Sequence, residues 1–196
     1  MSRRAELADL LAGPVLEVAP RLLNAVIRLG DVAVRLTEVE AYDGPNDPGS
    51  HAYRGQTRRN ATMFGPAGHL YCYFTYGMHV CANVVTGTPG APSAVLLRAG
   101  EVVDGIELAR GRRPRARDRD LARGPARLCT ALGISLSHDG TPLATGPVTL
   151  TPGDPVEARL IETGPRVGLR GAPDYPWRFW VAGEPTVSAY RPAKPR

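Results

Sequence analysis

The sequence predicts a mixed α/β fold of the α+β class, built as a single domain over residues 1–196. Segments with strand character are joined in pairs by short glycine turns, a pattern typical of antiparallel hairpins. Short segments with helix start and stop signals stand before and after these strands. Hydrophobic residues make up 43% of the 196-residue chain, which is enough to bury a core in one domain.

The predicted elements are mostly short. Helices are expected over 2–11, 16–23, 103–113 and 126–132, and strands over 25–29, 31–42, 70–76, 79–85, 93–99 and 148–150. Pro125 before the last helix and Gly133 after it fit the preference for proline at a helix start and glycine past its end. The last structured segments are expected at 161–168 and 177–181, and the Pro-rich residues 190–196 are expected to form a loose tail.

Composition and charge narrow the class of protein. The three cysteines, Cys72, Cys81 and Cys129, form no C-x-x-C pair and are expected to be small core residues in a reducing cytoplasm. The net charge of +5 favours an anionic partner, with nucleic acid first, although it also serves solubility alone. The sequence shows neither a secretion signal nor an apolar run long enough to cross a bilayer. We therefore expect a cytoplasmic protein without a membrane partner.

The strand predicted over 31–42 ends in an unusual pair of carboxylates. Side chains alternate between the two faces of a strand, so Val32, Val34 and Leu36 would share one face with Glu38 and Glu40. A carboxylate placed against apolar neighbours is desolvated, which makes it a candidate general base. The alternative is that the strand leaves the core here and both carboxylates are hydrated, the common state of charged residues.

Two further segments carry signals for contact with nucleic acid. Residues 51–62 include Arg54, Arg58 and Arg59 among polar residues, a composition that suits phosphate contact, although a solvated loop is the alternative. The turn of the second hairpin carries Tyr76 and Met78 around a glycine. A large apolar side chain at an exposed hairpin tip usually inserts into a partner, which is either DNA or another protein.

Arg98 ends the apolar strand 93–99, where it is expected to pair with a carboxylate or with an anionic substrate group. The run of arginines and aspartates over 112–123 is expected to be exposed, with its charges mostly solvated. The four histidines show no spacing typical of metal ligands. The sequence therefore predicts no metal site and no other cofactor.

In order along the chain, these residues resemble a known family. Glu38-Val39-Glu40-Ala41-Tyr42 is similar to the Glu-x-Glu-Ala-Tyr motif of the 3-methyladenine (alkyladenine) DNA glycosylases. The other similar segments are His51, Arg59-Asn60, Met63-Phe64, Gly68-x-Leu70-Tyr71-x-Tyr73, Tyr76-Gly77-Met78, Cys81-x-Asn83, Leu96-Leu97-Arg98-Ala99, Gly124-Pro125-x-x-Leu128-Cys129, Arg166-Val167-Gly168 and Pro176-Trp177-Arg178-Phe179. The ordered set covers nearly the whole chain and is far more specific than any one segment.

The resemblance implies a curved antiparallel β-sheet flanked by helices, with a protruding β-hairpin for DNA intercalation. It implies a monomer that excises alkylated and deaminated purines from duplex DNA, approached from the minor groove. Glu40 would be the base that activates water, and Arg98 and the main-chain carbonyl of Val167 would hold that water. Tyr42, His51 and Tyr73 would surround the flipped base, and Asn83 would exclude the exocyclic amine of guanine. The resemblance also implies that Tyr76 is the wedge that takes the place of the flipped base in the stack. Met78 beside it would fill the minor groove.

The reaction chemistry agrees with these roles. An enzyme that acts on a base in duplex DNA must extrude it, and aromatic rings can then stack on it. Lys194 is the one lysine among the 24 Lys and Arg residues, and it lies in the predicted tail. A glycosylase that also cuts the strand needs an amine for a Schiff base, so a monofunctional enzyme that leaves an abasic site is expected.

Two other classes remain open from the residues alone. A noncatalytic binder of damaged DNA would keep the basic loop and the hairpin tip but have no use for Glu40. An enzyme that acts on a free purine nucleoside would need neither the tip nor the arginines of residues 51–62. Substitution of Glu40 separates the first class from a glycosylase, and a free nucleoside substrate separates the second.

Overall fold

The computed structural model describes residues 3–75 and 77–193. Its helices are α1 (Arg3–Leu11), α2 (Val15–Arg21), α3 (Ile106–Arg112) and α4 (Pro125–Leu132). Its strands are β1 (Val26–Leu29), β2 (Val32–Tyr42), β3 (Leu70–Thr75), β4 (His79–Thr86), β5 (Ser93–Asp104), β6 (Val148–Thr151), β7 (Ile161–Gly164) and β8 (Arg178–Val181). Short 3-10 turns lie between several of these elements.

The strands form one antiparallel sheet in the order β3-β4-β5-β2-β1-β6. Strand β8 pairs with β2 beyond the end of β1, and β7 pairs with β8. Strand β2 therefore has β5 along one side and both β1 and β8 along the other. The mixed α/β class and the antiparallel sheet predicted from the sequence are confirmed.

Two apolar clusters lie on opposite faces of this sheet. The larger cluster packs α1, α2 and α4 against the strands and includes Leu11, Leu97 and Leu128. The smaller cluster contains Ala52, Met63, Tyr71, Val85 and Ala94. Adjacent residues of one strand, such as Val84 and Val85, belong to different clusters, as expected when neighbouring side chains point to opposite faces.

A double β-bulge interrupts the pairing of β2 with β5. The register shifts between Leu36 and Glu38, so Thr37 is an extra residue on β2. It shifts again one pair further along, where Arg98 is an extra residue on β5. Bulges of this kind re-aim side chains and are common beside active sites.

The bulge reverses which side chains of β2 face the main core. Val34 and Leu36 lie in the larger cluster, and after the bulge Val39 and Ala41 take their place. Glu40 is left on the opposite face, where it lines a cavity. The prediction that the two glutamates share a face with the apolar row is therefore wrong, because one inserted residue changes the parity of the strand.

The boundary between β5 and α3 also differs from the prediction. Val102 pairs with Val34 and Asp104 pairs with Ala33, so the strand continues where a helix was expected from residue 103. Gly105 then adopts a φ of 68°, a left-handed conformation that ends the strand. The predicted helix start is wrong because pairing with β2 outweighs the helical pattern of this short segment.

Among the described residues, no helix is long and apolar enough to span a membrane.

Candidate active site

A cavity of about 900 Å³ opens on the face of the sheet that carries the smaller apolar cluster. Its walls come from strands β2 to β5, the loop after β2, the loop after β7 and residues 191–193. The residues predicted to act on the base all line it: Glu40, Tyr42, His51, Tyr73, Asn83, Arg98 and Val167. Residues that are far apart in the sequence are thus brought to one cavity.

Glu40 is fully buried and is held by donors from three directions. The main-chain N–H of Val167 donates to Oε1 at 2.7 Å, and the hydroxyl of Tyr42 donates to Oε2 at 2.9 Å. Nε of Arg98 lies 3.4 Å from Oε1. A carboxylate accepts about four hydrogen bonds, so this arrangement fixes the group and leaves capacity for a water molecule in the cavity.

Glu38 is also fully buried, but its contacts differ from those of Glu40. Its Oε1 accepts hydrogen bonds from Nε of Arg98 at 2.9 Å and Nε of Arg178 at 2.6 Å. Ser188 donates its hydroxyl to Oε1 at 2.9 Å and its main-chain N–H to Oε2 at 2.6 Å. Glu38 is saturated by structural partners, and it holds the arginine that also contacts Glu40.

Aromatic rings form the walls around Glu40. The rings of His51 and Tyr73 meet edge to face with centroids 4.5 Å apart. The guanidinium of Arg166 lies 4.6 Å from the centre of the Tyr42 ring. Burial raises the pKa of both Tyr42 and Tyr73, so both hydroxyls stay protonated at neutral pH.

A hydrogen bond fixes the orientation of His51. Its Nδ1 lies 3.1 Å from the hydroxyl oxygen of Tyr71, whose pKa is raised by burial to about 12. Burial, and then the charge of Arg59, lower the pKa of His51 below its usual 6.5. Both partners are therefore uncharged near neutral pH, and the imidazole can contact a base without adding positive charge.

Asn83 is buried on β4, and its side-chain amide donates to the main-chain oxygen of Tyr71 at 3.0 Å. This bond orients the amide at the cavity wall.

All three cysteines are buried, as predicted, and Cys81 also lines the cavity. Burial raises the pKa of the Cys81 thiol, so it is not a thiolate at neutral pH.

The ion pair that packs against the Tyr42 ring was not predicted from the sequence. Arg166 and Asp47 are fully buried and form a two-pronged pair, with N···O distances of 2.5 and 2.6 Å. Arg166 also donates to the main-chain oxygen of Ala41 at 2.9 Å. Arg166 precedes Val167 in one of the motifs quoted above, and that adjacency was the signal that could have identified it.

The residues predicted to contact DNA lie at the surface. Met78 is 70% exposed at the turn of the β3–β4 hairpin, and Arg54 and Arg58 are exposed. Arg59 has a structural contact as well, because it donates to the main-chain oxygen of Phe74 at 2.9 Å. The predicted wedge, Tyr76, lies outside the described residues.

Within residues 3–75 and 77–193, no cluster of three His, Cys, Asp or Glu side chains could hold a metal ion.

Comparison with known proteins identifies the family. Residues 9–185 match the methylpurine-DNA glycosylase family. A protein of Streptomyces avermitilis is 55% identical, with 96% of this chain and 92% of the relative covered. A protein of Nocardia farcinica is 59% identical over 88% and 85% of the two chains, and one of Frankia casuarinae is 52% identical over 95% and 93%. Each relative is named "Putative 3-methyladenine DNA glycosylase".

The chain therefore belongs to the methylpurine-DNA glycosylase family, as the resemblance indicated. Its activity is that of a DNA-3-methyladenine glycosylase, a hydrolase of DNA repair. Its substrate is DNA.

Proposed function

We propose that this chain flips damaged purines out of duplex DNA and hydrolyses the N-glycosidic bond with a water molecule activated by Glu40. The observation that carries the proposal is the Glu40 carboxylate, fully buried at the wall of a 900 Å³ cavity and held by Val167, Tyr42 and Arg98. A cavity of this size lies within the range of small-molecule sites and has room for a purine.

The chemistry of bond cleavage gives Glu40 two roles. As the bond between base and sugar breaks, positive charge develops on the sugar, and a nearby carboxylate stabilises it. The same carboxylate can take the proton of the attacking water. Because the donors hold Glu40 in one orientation, little reorganisation is needed when the charge develops. We assign the main-chain carbonyl of Val167 and the guanidinium of Arg98 to holding the water.

The aromatic rings of the cavity would bind the flipped base. Stacking of a flipped base on an aromatic ring contributes about 1–3 kcal/mol, which offsets the cost of leaving the duplex. We assign this contact to Tyr42, His51 and Tyr73, because all three line the cavity. The proposed substrates are alkylated and deaminated purines. Asn83 would select against undamaged guanine by a clash with its exocyclic amine.

The β3–β4 hairpin and the loop of residues 51–62 would contact duplex DNA. We assign Tyr76 as the wedge that fills the gap in the base stack and Met78 as its neighbour in the minor groove. Arg54, Arg58 and Arg59 would contact phosphates. The enzyme would act as a monomer.

The reaction would stop at an abasic site. Lys194 is the one lysine in the sequence, and although it directly follows the cavity residue Ala193, it belongs to none of the motifs that carry the family resemblance. The N-terminal amine is remote in sequence from every motif, so we assign neither amine a role in the reaction. Without an amine at the sugar, no Schiff base can form and the strand is not cut.

The direct test incubates the protein, without added metal, with duplexes that each contain one lesion: 3-methyladenine, 7-methylguanine, hypoxanthine or ethenoadenine. Expected results are abasic sites that alkali converts to strand breaks, and no covalent adduct after borohydride. Tight binding of damaged DNA without excision would favour a noncatalytic binder. Cleavage of free nucleosides at the same rate would favour a nucleoside enzyme.

A further inference from the structure

A stretch that follows the matched family region reaches the candidate active site. The family match ends at residue 185, and residues 186–193 follow it; we call these residues the C-terminal segment. Arg191, Pro192 and Ala193 line the cavity that contains Glu40. Residues 190–196 were expected to form a loose tail, but residues 191–193 form part of the cavity wall.

The first half of the C-terminal segment is bonded to the bulged part of β2. The hydroxyls of Thr186 and Thr37 are hydrogen-bonded at 2.8 Å, and both side chains are buried. Ser188 gives Glu38 two hydrogen bonds, and its main-chain oxygen accepts one from Arg178 at 2.8 Å. These bonds fix residues 186–188 beside the strand that carries both glutamates.

The second half is bonded to the loop that orients Glu40. The main-chain N–H of Gly168 donates to the carbonyl oxygen of Arg191 at 2.8 Å. The preceding N–H, that of Val167, donates to Oε1 of Glu40 at 2.7 Å. One loop thus joins the two contacts, and a shift of the Arg191 carbonyl would move the donor of Glu40.

The residues on both sides of the hydrogen bond between Gly168 and Arg191 restrict its backbone geometry. Pro192 restricts the residue before it to extended conformations, which limits the directions of the Arg191 carbonyl. Gly168 has a φ of 70°, a left-handed conformation that residues other than glycine rarely adopt. The bond is therefore formed between two backbone positions with restricted geometry.

We propose that the C-terminal segment is a positioning element for the reaction. Its Arg191 carbonyl holds the Val167–Gly168 loop, and through that loop it fixes the orientation of the Glu40 carboxylate. Residues 191–193 also close one side of the base cavity. The proposal rests on the proposed role of Glu40, because the segment acts through that carboxylate.

The test compares single-turnover excision at saturating lesion DNA with DNA affinity. Deletion of residues 190–196 removes the carbonyl contact, and we expect the excision rate to fall about tenfold or more, because small misplacements of catalytic groups have large effects. DNA affinity should stay within about threefold of that of the control below, which lacks two of the three cations that the deletion removes. The control replaces Lys194, Pro195 and Arg196 with alanine, keeps the contact and should retain the full rate.

A second variant keeps the test decisive if the deletion prevents folding. Pro192→Gly leaves every side-chain contact of the cavity wall except its own and frees the Arg191 carbonyl. Excision should therefore slow, while the Tm falls by only about a few degrees from the added entropy of the unfolded chain. An unaltered excision rate in a folded deletion variant or in Pro192→Gly, or a loss confined to DNA affinity, would overturn the proposal. Glu40→Gln, assayed alongside, separates the two ideas: activity of that variant would overturn the proposed function itself.

Discussion

Arg98 shows how one residue links the two glutamates of β2. Its Nε lies 2.9 Å from Oε1 of Glu38 and 3.4 Å from Oε1 of Glu40. Glu38 is also bonded to Arg178 and Ser188, so it is the fixed end of this arrangement. Glu40 has fewer partners and lines the cavity, which is the placement expected of a reacting group.

The buried pair of Arg166 and Asp47 should be important for stability. Asp47→Asn would leave the buried guanidinium without its countercharge and should lower the free energy of unfolding by about 3–5 kcal/mol. Asp104→Asn is the matched control, because the Asp104 pair with Arg28 is exposed and such pairs contribute only about 0–1 kcal/mol. Urea unfolding of both variants measures the difference, and equal effects would contradict this account.

His51 should titrate below its usual pKa of 6.5, because burial and the charge of Arg59 both disfavour the imidazolium. Removing the charge with Arg59→Gln should raise that pKa, which an NMR titration of the ring proton would detect. The folded state binds fewer protons than the unfolded chain near this pH. The His51 contribution to stability is therefore present above pH 6.5 and lost as the pH falls below it. A titration midpoint that does not move in Arg59→Gln would contradict the proposed cause.

At the scale of the element, the double bulge between β2 and β5 turns Glu40 toward the cavity. Gly100 pairs with Leu36 at the edge of this bulge. A Cβ at Gly100 would lie 2.3 Å from the carbonyl oxygen of Arg35 and 2.5 Å from Cγ1 of Val34. Strand β2 can approach β5 this closely because the residue is glycine.

Gly100→Ala should therefore push β2 away from β5. We expect a loss of about 1–3 kcal/mol in the free energy of unfolding, together with slower excision, since the strand that carries Glu40 must shift. Gly111→Ala is the control, because Gly111 lies in α3 and, apart from its own helix backbone and chain neighbours, no atom of the described residues lies within 4 Å of a Cβ placed there. Alanine should stabilise the helix by about 0.5–1 kcal/mol. Equal thermal unfolding and equal excision rates in the two variants would argue against the close approach.

Some helices and strands could be predicted from the sequence more completely than others. Strands β2 and β4 follow from their own composition, and α4 follows from Pro125 and Gly133, because these signals are local. The bulge at Thr37 does have a signal in the sequence, which the assumption of strict alternation missed. The apolar residues change from even positions, Val34 and Leu36, to odd positions, Val39 and Ala41. The strand β5 extends past its prediction because its last pairs depend on a partner about 70 residues away.

At the scale of the whole molecule, the positive charge is expected to strengthen binding to the phosphate backbone of DNA. The net charge is +5, and the exposed Arg54 and Arg58 lie in the loop beside the cavity residue His51. Each phosphate contact that is lost should reduce the slope of log affinity against log salt by about 0.9. The same change in an exposed arginine that is assigned no DNA contact should have no such effect on the slope.

Arg54→Gln and Arg58→Gln test this directly by DNA binding at several salt concentrations. Each should weaken binding to damaged and undamaged duplexes alike, since phosphate contacts carry no sequence information. Arg159→Gln is the control, because that arginine is exposed but paired with Glu157. If the Arg159 variant changed the slope as much as the other two, the assigned DNA-contacting loop would be wrong.

In the candidate site, as in the fold, residues with local sequence signals could be predicted and contacts between distant segments could not. Glu40, Tyr42 and the cavity rings could be named from motifs that stand in sequence order. The ion pair of Arg166 and Asp47, and the bond between Gly168 and Arg191, could not be named from local signals. They join positions that only the folded backbone brings together, and one of them uses a main-chain carbonyl that no residue type marks.

The measurement that tests the central claim most directly is single-turnover excision by Glu40→Gln on duplex DNA with a methylated purine. The amide keeps the shape of the carboxylate but cannot accept the proton of water, so the rate should fall by about 10²–10⁴ while DNA binding is retained. Glu101→Gln, in an exposed residue of β5 paired with Arg35, should retain the full rate. Undiminished excision by Glu40→Gln would contradict the account.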